Sequence, residues 1–198
     1  NVTTGNGADT IDVGVRTATG IFTTSATSTI KLSDGANITS VDAEGNGAGT
    51  AFTANNLTLA GDTSTTMTAA QNNSFTNNIT ALGTNTIDIS DAAAVTGLAG
   101  VETYTLAAGA QTFTLGGAGQ NVTADGTGGG GLITIDTDTQ TSVTGTFDDN
   151  GGNDTIKLNV EAASVDISAV VMTDVDNISL ASNAGATMTR DQHAKLNA

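Results

Sequence analysis

The chain has 198 residues, 20 acids against 5 Lys and Arg, a formal charge of −15, and no Cys. That balance excludes a nucleic-acid partner or an anionic membrane surface, which need clustered Lys or Arg, and it excludes disulfides and thiolate metal sites. Apolar residues make up 37% and aromatics only 3%, so a core must be built from Val, Ile, Leu and Ala, and no apolar run nears the ~20 residues of a membrane helix.

Thr is the commonest residue and Gly occurs 25 times, which favours β-structure with tight turns and argues against long helices. Of the 20 acids, 17 are Asp. Asp supports turns through its short side chain and ligates hard cations, so the bias points to turns and to calcium. Because the chain starts at Asn1, it is expected to be a piece of a longer secreted protein, with residues 1–198 as a single elongated domain.

In chain order, a strand-turn-strand pattern recurs. NVT-TGNGA-DTIDV at 1–13 is followed by NIT-ALGT-NTIDI at 78–89, NVT-ADGTGGGG-LITIDT at 121–137 and SVT-GTFDDNGGN-DTIKLNV at 142–160. Further Asn-hydrophobe-Thr/Ser triplets stand at 37, 56 and 177, often about 20 residues from the next start. That period suits one coil of a β-solenoid, in which inward Ile, Val and Leu stack as ladders and outward Thr and Asp meet water. The triplets also read as glycosylation acceptors, but the repeat explains them better: Asn closes a turn, and the β-branched residue and Thr begin a strand. GGGG at 128–131 reads as a flexible loop.

A second repeat aligns without a gap: NLTLAGDTSTTMTAAQ at 56–71 and NISLASNAGATMTRDQ at 177–192, with VETYTLAAGAQTFTL at 101–115 a looser relative. Both strict copies end in Met-Thr-x-x-Gln. Thr68 to Gln71 and Thr189 to Gln192 have capping-box spacing, which predicts a short helix or helical turn; the alternative is a plain strand end.

Two stretches match a calcium nonapeptide, in which glycines turn carbonyls toward the ion, an Asp adds charge and an apolar residue enters the core. TGNGADTID at 4–12 places Asp9 at the ligand position and Ile11 inside; DNGGNDTIK at 149–157 places Asp154 and Ile156 likewise. In the second, Asp148, Asp149, Asn150 and Asp154 put oxygen side chains around Gly151 and Gly152, without the final bidentate Glu of an EF-hand. The alternative for all of them is an Asp-stabilised turn. Asp136 with Asp138 and Asp174 with Asp176, at i and i+2, would share a strand face as an anionic strip, as cation ligands or as a solvated surface; Asp88 with Asp91 is a third acidic pair. In-register coils would bring like charges together and call for a counterion.

On these motifs and on composition the chain resembles the RTX family of type-I-secreted proteins, and among them the Gram-negative S-layer proteins. The resemblance implies calcium-dependent folding outside the cell, a parallel β-roll or β-solenoid, and lattice assembly with other copies on the cell surface. The motifs stand alone here, whereas RTX repeats run in tandem, so each offers half a site.

Enzymatic chemistry has little to work with. His193 is the only His, in a polar segment expected to be exposed, and Tyr104, five Phe and five basic residues give no aromatic, basic groove. The expectation is therefore an all-β, parallel β-solenoid with ragged coils and one or two helical turns, binding Ca2+ and serving as a non-enzymatic S-layer building block. An adhesin or RTX-type stalk is the second reading and an extracellular polysaccharide-active enzyme the third. Partners are copies of itself and cell-surface polysaccharide, reached through parts outside this chain, with no nucleic acid and no membrane insertion.

Overall fold

A computed structural model describes residues 1–125, 131–150, 155–173 and 175–196. The sequence assignments at Asp154, at Asp174 and at most of the GGGG run therefore lie outside the described residues. The chain divides into two compact units, Asn1–Asp91 with Leu98–Glu102, and Ala92–Gly97 with Thr103 onward. In both, parallel strands stack coil upon coil as a β-solenoid, as the repeat predicts.

The first unit runs β1 (Val2–Thr3), β2 (Thr10–Gly14), β3 (Thr17–Thr23), β4 (Thr29–Leu32) and β5 (Ala36–Ala43). It continues with β6 (Asn56–Leu59), β7 (Thr63–Met67), α1 (Ala69–Ser74), β8 (Ile79–Ala81) and β9 (Asn85–Ile89). Odd strands pair with odd, in the order β1, β3, β5, β7, β9, and even with even, β2, β4, β6, β8. Each coil therefore contributes one strand to each of two parallel sheets.

Period-2 patterning decides which side chains face inward. TIKL of β4 and NTIDI of β9 alternate buried and half-buried positions, and Ile11, Ile30, Leu57 and Ile79 stack in register through four coils. Ile30 and Leu57 are fully buried, each worth about 1.5–3 kcal/mol of apolar transfer. Connections from the even sheet to the odd are tight: residues 15–16, 33–35, 60–62 and 82–84. Gly14, Gly35, Gly61 and Gly83 supply a left-handed φ at or beside these four corners, a conformation that costs other residues about 1–2 kcal/mol.

The second unit contains β10 (Val95–Thr96), β11 (Thr103–Leu106), β12 (Gln111–Thr114), β13 (Asn121–Ala124), β14 (Leu132–Asp136) and β15 (Thr146–Asp148). Then follow β16 (Thr155–Val160), β17 (Val165–Asp166), β18 (Val171–Thr173), β19 (Val175–Leu180), β20 (Ala186–Thr187) and α2 (Arg190–Lys195). One sheet orders β11, β13, β15, β18; another orders β10, β12, β14, β16, β19; β17 pairs with β20. The later coils have three strands. One ladder runs through five coils as Val95, Phe113, Ile135, Leu158 and Ile178, all in register.

Coil length is ragged. A residue meets its stacked neighbour 18 positions on at Thr103 and Asn121, and 29 on at Ala36 and Thr65. The strand-turn-strand repeat is also out of phase with the coil. NVT at 1–3 opens on the odd sheet, whereas NIT at 78–80 leads into β8 of the even sheet. SVT at 142–144 is no strand; Ser142 makes only an isolated bridge to Asp166. Asn177 lies inside β19 instead of opening it.

Both Thr-x-x-Gln segments do start helices. Thr68 and Thr189 cap α1 and α2 with reciprocal capping boxes to Gln71 and Gln192, which removes the plain strand-end alternative.

Candidate functional site

The loop at 4–9 is closed by hydrogen bonds. The Gly5 N–H donates to Asp9 Oδ2 at 3.0 Å, and the Gly7 carbonyl, of the kind that faces an ion in a nonapeptide site, accepts from Ser25 Oγ at 3.3 Å and Thr27 Oγ1 at 2.8 Å. Thr4 and Ser28 hydroxyls meet at 2.9 Å beside them. Hydroxyl groups of the next coil thus occupy the bridging role between coils, and Asp9 itself is exposed.

Asp136, Asp138, Asp148 and Asn150 form two copies of one turn. Asp136 Oδ1 accepts the Asp138 N–H at 3.0 Å, and Asp148 Oδ1 accepts the Asn150 N–H at 2.9 Å. Asp138 and Asn150 take left-handed φ of 47° and 57°, which Asp and Asn tolerate better than other L-residues. Asp12 to Gly14 and Asp166 to Ser168 repeat the same i to i+2 bond. Because β14 ends at Asp136, Asp138 has left the strand and the two carboxylates form no strip on one face, contrary to the strand-face expectation. Asp149 turns inward and is 6% exposed.

Among the described residues no three His, Cys, Asp or Glu side chains gather as a metal site. The stacked-charge expectation also fails among the described strand pairs. In register, Asp12 stands beside Lys31, Asp88 beside Thr66, Asp136 beside Thr114 and Asn159, and Asp148 beside Thr123 and Thr173. Hydroxyls, an amide and one ammonium separate the charges, so coil stacking by itself creates no demand for a counterion there.

Other acids cap backbone N–H groups of neighbouring coils. Asp34 accepts from Ser64 at 2.9 Å, Asp62 from Thr84 at 2.7 Å, Asp91 from Ala69 at 2.7 Å, and Glu102 from Asn85 at 2.8 Å. Glu44 takes both the N–H and the hydroxyl of Thr24 at 2.8 Å. A carboxylate is a strong acceptor for such donors, so these five acids, none of them among the candidate ion ligands, serve the stack.

The Asn of the triplets works in the same way. Asn1 Oδ1 accepts the Ile21 N–H at 3.2 Å, Asn56 Oδ1 the Asn78 N–H at 3.3 Å, and Asn121 Oδ1 the Thr146 N–H at 2.9 Å, each on the following coil. Asn56 also donates backward to the Thr27 and Ser28 carbonyls. The sequence marked these positions as repeats without revealing that the amide joins three coils.

Asp12 and Asp166 are displaced below the ordinary carboxylate range. The Lys31 ammonium, 2.7 Å away, holds Asp12 low. The Ser168 hydroxyl and N–H hold Asp166 low. Asp12 lines a cavity with Arg16, Thr17 and Thr19, and among the described residues that line it there is no second acid, which a paired acid and base would need. All six aromatic side chains are buried, with Tyr104 and Phe113 packed at a centroid distance of 4.8 Å and Phe52 and Phe75 at 5.9 Å. His193 is exposed on α2.

Compared with protein-family models, with curated proteins and with solved structures, the chain matches none of them.

Proposed function

We propose that the chain is a structural segment of a bacterial surface protein, a building block of an S-layer-type lattice in which the solenoid is the scaffold and copies meet one another. The observation that supports this reading is where the polar side chains are used. Asp, Glu, Asn and Gln bond to the backbone of neighbouring coils, and the aromatic residues that a sugar-stacking groove would need are all in the core. An extracellular setting, suggested by the acidic, Cys-free composition, and attachment to surface polysaccharide through other parts of the protein belong to the same proposal.

Calcium enters the proposal at residues 148–154. There Asp148, Asp149 and Asn150 lead into residues outside the described set, and among the described residues one carboxylate oxygen of Asp148 has no partner beyond its turn bond. Asp136 and Asp138 close the same kind of turn and Asp9 closes its own loop, but none of the three leads directly into residues outside the described set.

Electron microscopy of the purified protein with calcium and with EGTA tests the lattice. Ordered two-dimensional sheets are expected; a protein that stays monomeric at high concentration overturns the lattice and favours the adhesin stalk. Thermal melting in EGTA followed by added calcium tests the ion separately. A calcium-dependent rise in Tm, abolished in D148N/D154N, is expected, and an unchanged Tm removes calcium while leaving the scaffold reading intact.

A further inference from the structure

The chain contains three Asn-Gly dipeptides, at 6–7, 46–47 and 150–151. In this dipeptide the glycine nitrogen can attack the preceding side-chain amide with no side chain of its own in the way. The fold distinguishes the first two sharply; the third runs into Gly151, outside the described residues.

Asn46 and Gly47 are tied down. The Gly47 N–H donates to Asp42 Oδ1 at 2.7 Å, the Asn46 N–H donates to the Ala43 carbonyl at 3.1 Å, and the Thr50 hydroxyl bonds the Gly47 carbonyl at 2.8 Å. The nitrogen that must attack is therefore held by a carboxylate, which opposes loss of its proton. Asn6 and Gly7 are both exposed. Among the described residues neither the Asn6 amide nor the Gly7 N–H has a hydrogen-bond partner, and a Cβ at Gly7 would meet nothing within 4 Å. Only the Gly7 carbonyl is engaged, by Ser25 and Thr27.

We propose that Asn6 is a site of spontaneous, enzyme-free deamidation. The Gly7 nitrogen gives its proton to solvent base and bonds to Asn6 Cγ; the side-chain nitrogen leaves as ammonia; water then opens the five-membered imide at either carbonyl, giving aspartate or isoaspartate. One water enters, one ammonia leaves, and no redox partner is involved. Either product adds one negative charge three residues before Asp9. The isoaspartate form also lengthens the backbone by one carbon, which pulls the Gly7 carbonyl away from the Ser25 and Thr27 hydroxyls and loosens the tie between the first two coils.

The experiment incubates the native chain at mildly alkaline pH and follows positions 6 and 46 in the same molecules by peptide mapping, with fragmentation that identifies isoaspartate. Asn6 is expected to convert at least about tenfold faster than Asn46, the lower end of what a charge-assisted hydrogen bond on Gly47 corresponds to. In denatured chain the two rates converge, and in D42A the native Asn46 rate rises toward that of Asn6. Native rates that are equal, or faster at Asn46, overturn the proposal. That comparison needs no variant and stands whatever D42A does to folding.

Discussion

Gln71 donates through Nε2 to the Ile38 carbonyl at 2.8 Å, 33 residues back along the chain, while its Oε1 accepts the Thr68 N–H at 3.0 Å. One fully buried side chain thus caps α1 and ties it to the preceding coil. Gln192 does the same, with Nε2 2.8 Å from both the Ile167 and Val170 carbonyls. Gln71→Ala should therefore lose more than a surface cap does. Loss of the cap costs about 1 kcal/mol, and the orphaned buried carbonyl adds about 1–3 kcal/mol. At the second helix, Thr189→Ala removes the cap hydroxyl and leaves the Gln192 bonds to Ile167 and Val170 in place, so it should cost less than Gln192→Ala in urea melts; equal losses would mean that the inter-coil bonds contribute nothing.

The triplet asparagines divide by what they reach. Asn56 is 9% exposed and bonds to the coils on both sides, and Asn121 bonds forward to Thr146. Alanine at either should cost about 1–3 kcal/mol, since partners inside the stack are left without a bond. Asn177, exposed and inside β19, should tolerate alanine within about 0.5 kcal/mol. A chemical-denaturation series across these positions reads the difference directly, and a uniform cost would deny the inter-coil role.

Corner glycines allow strain and crowding to be measured apart. Gly61 and Gly83 have φ of +90° and +80°. A Cβ at Gly61 meets nothing within 4 Å, whereas one at Gly83 would stand 2.2 Å from Asp62 Oδ1, the atom that holds the Thr84 N–H. Gly61→Ala should cost the conformational term alone, about 1–2 kcal/mol. Gly83→Ala should cost that and about 1–3 kcal/mol more for the displaced Asp62 bond, seen as a larger drop in Tm.

What the sequence disclosed follows from how local each signal is. The alternation of NTIDI and the Thr-x-x-Gln spacing are set within five residues, so strands and capped helices were readable at the positions where they form. The duties of Asp34, Asp62 and Asn121 are fixed by partners 22 to 30 residues away. Coil length varies between neighbours, so no constant offset points to those partners. Asp148 and Asn150 show the same limit from the other side. An Asx turn and a calcium loop draw on the same residues, so the turn closed by the Asn150 N–H on Asp148, with Asn150 at φ 57°, is compatible with either use.

The Asp12 and Lys31 pair gives a pH prediction with a definite sign. Their side chains stack on adjacent coils at 2.7 Å, half exposed, and the ammonium holds the Asp12 carboxyl below its ordinary range in the folded chain. Unfolding releases that hold, so the unfolded chain takes up the proton at a higher pH than the folded chain does. The pair's stabilisation is then fully present at neutral pH and begins to fade near the ordinary carboxylate value of about 4. It is lost as pH falls through the lower folded value. A double-mutant cycle with D12N and K31M, measured by urea melts at neutral pH and across the acid range, should give a coupling that is flat above about pH 5 and shrinks toward zero in acid. Because both groups reach solvent, 1 M salt should shrink the neutral-pH coupling as well, with the screening length down to about 3 Å. A coupling that survives both acid and salt would mean that the two side chains interact through packing of their stems and not through charge.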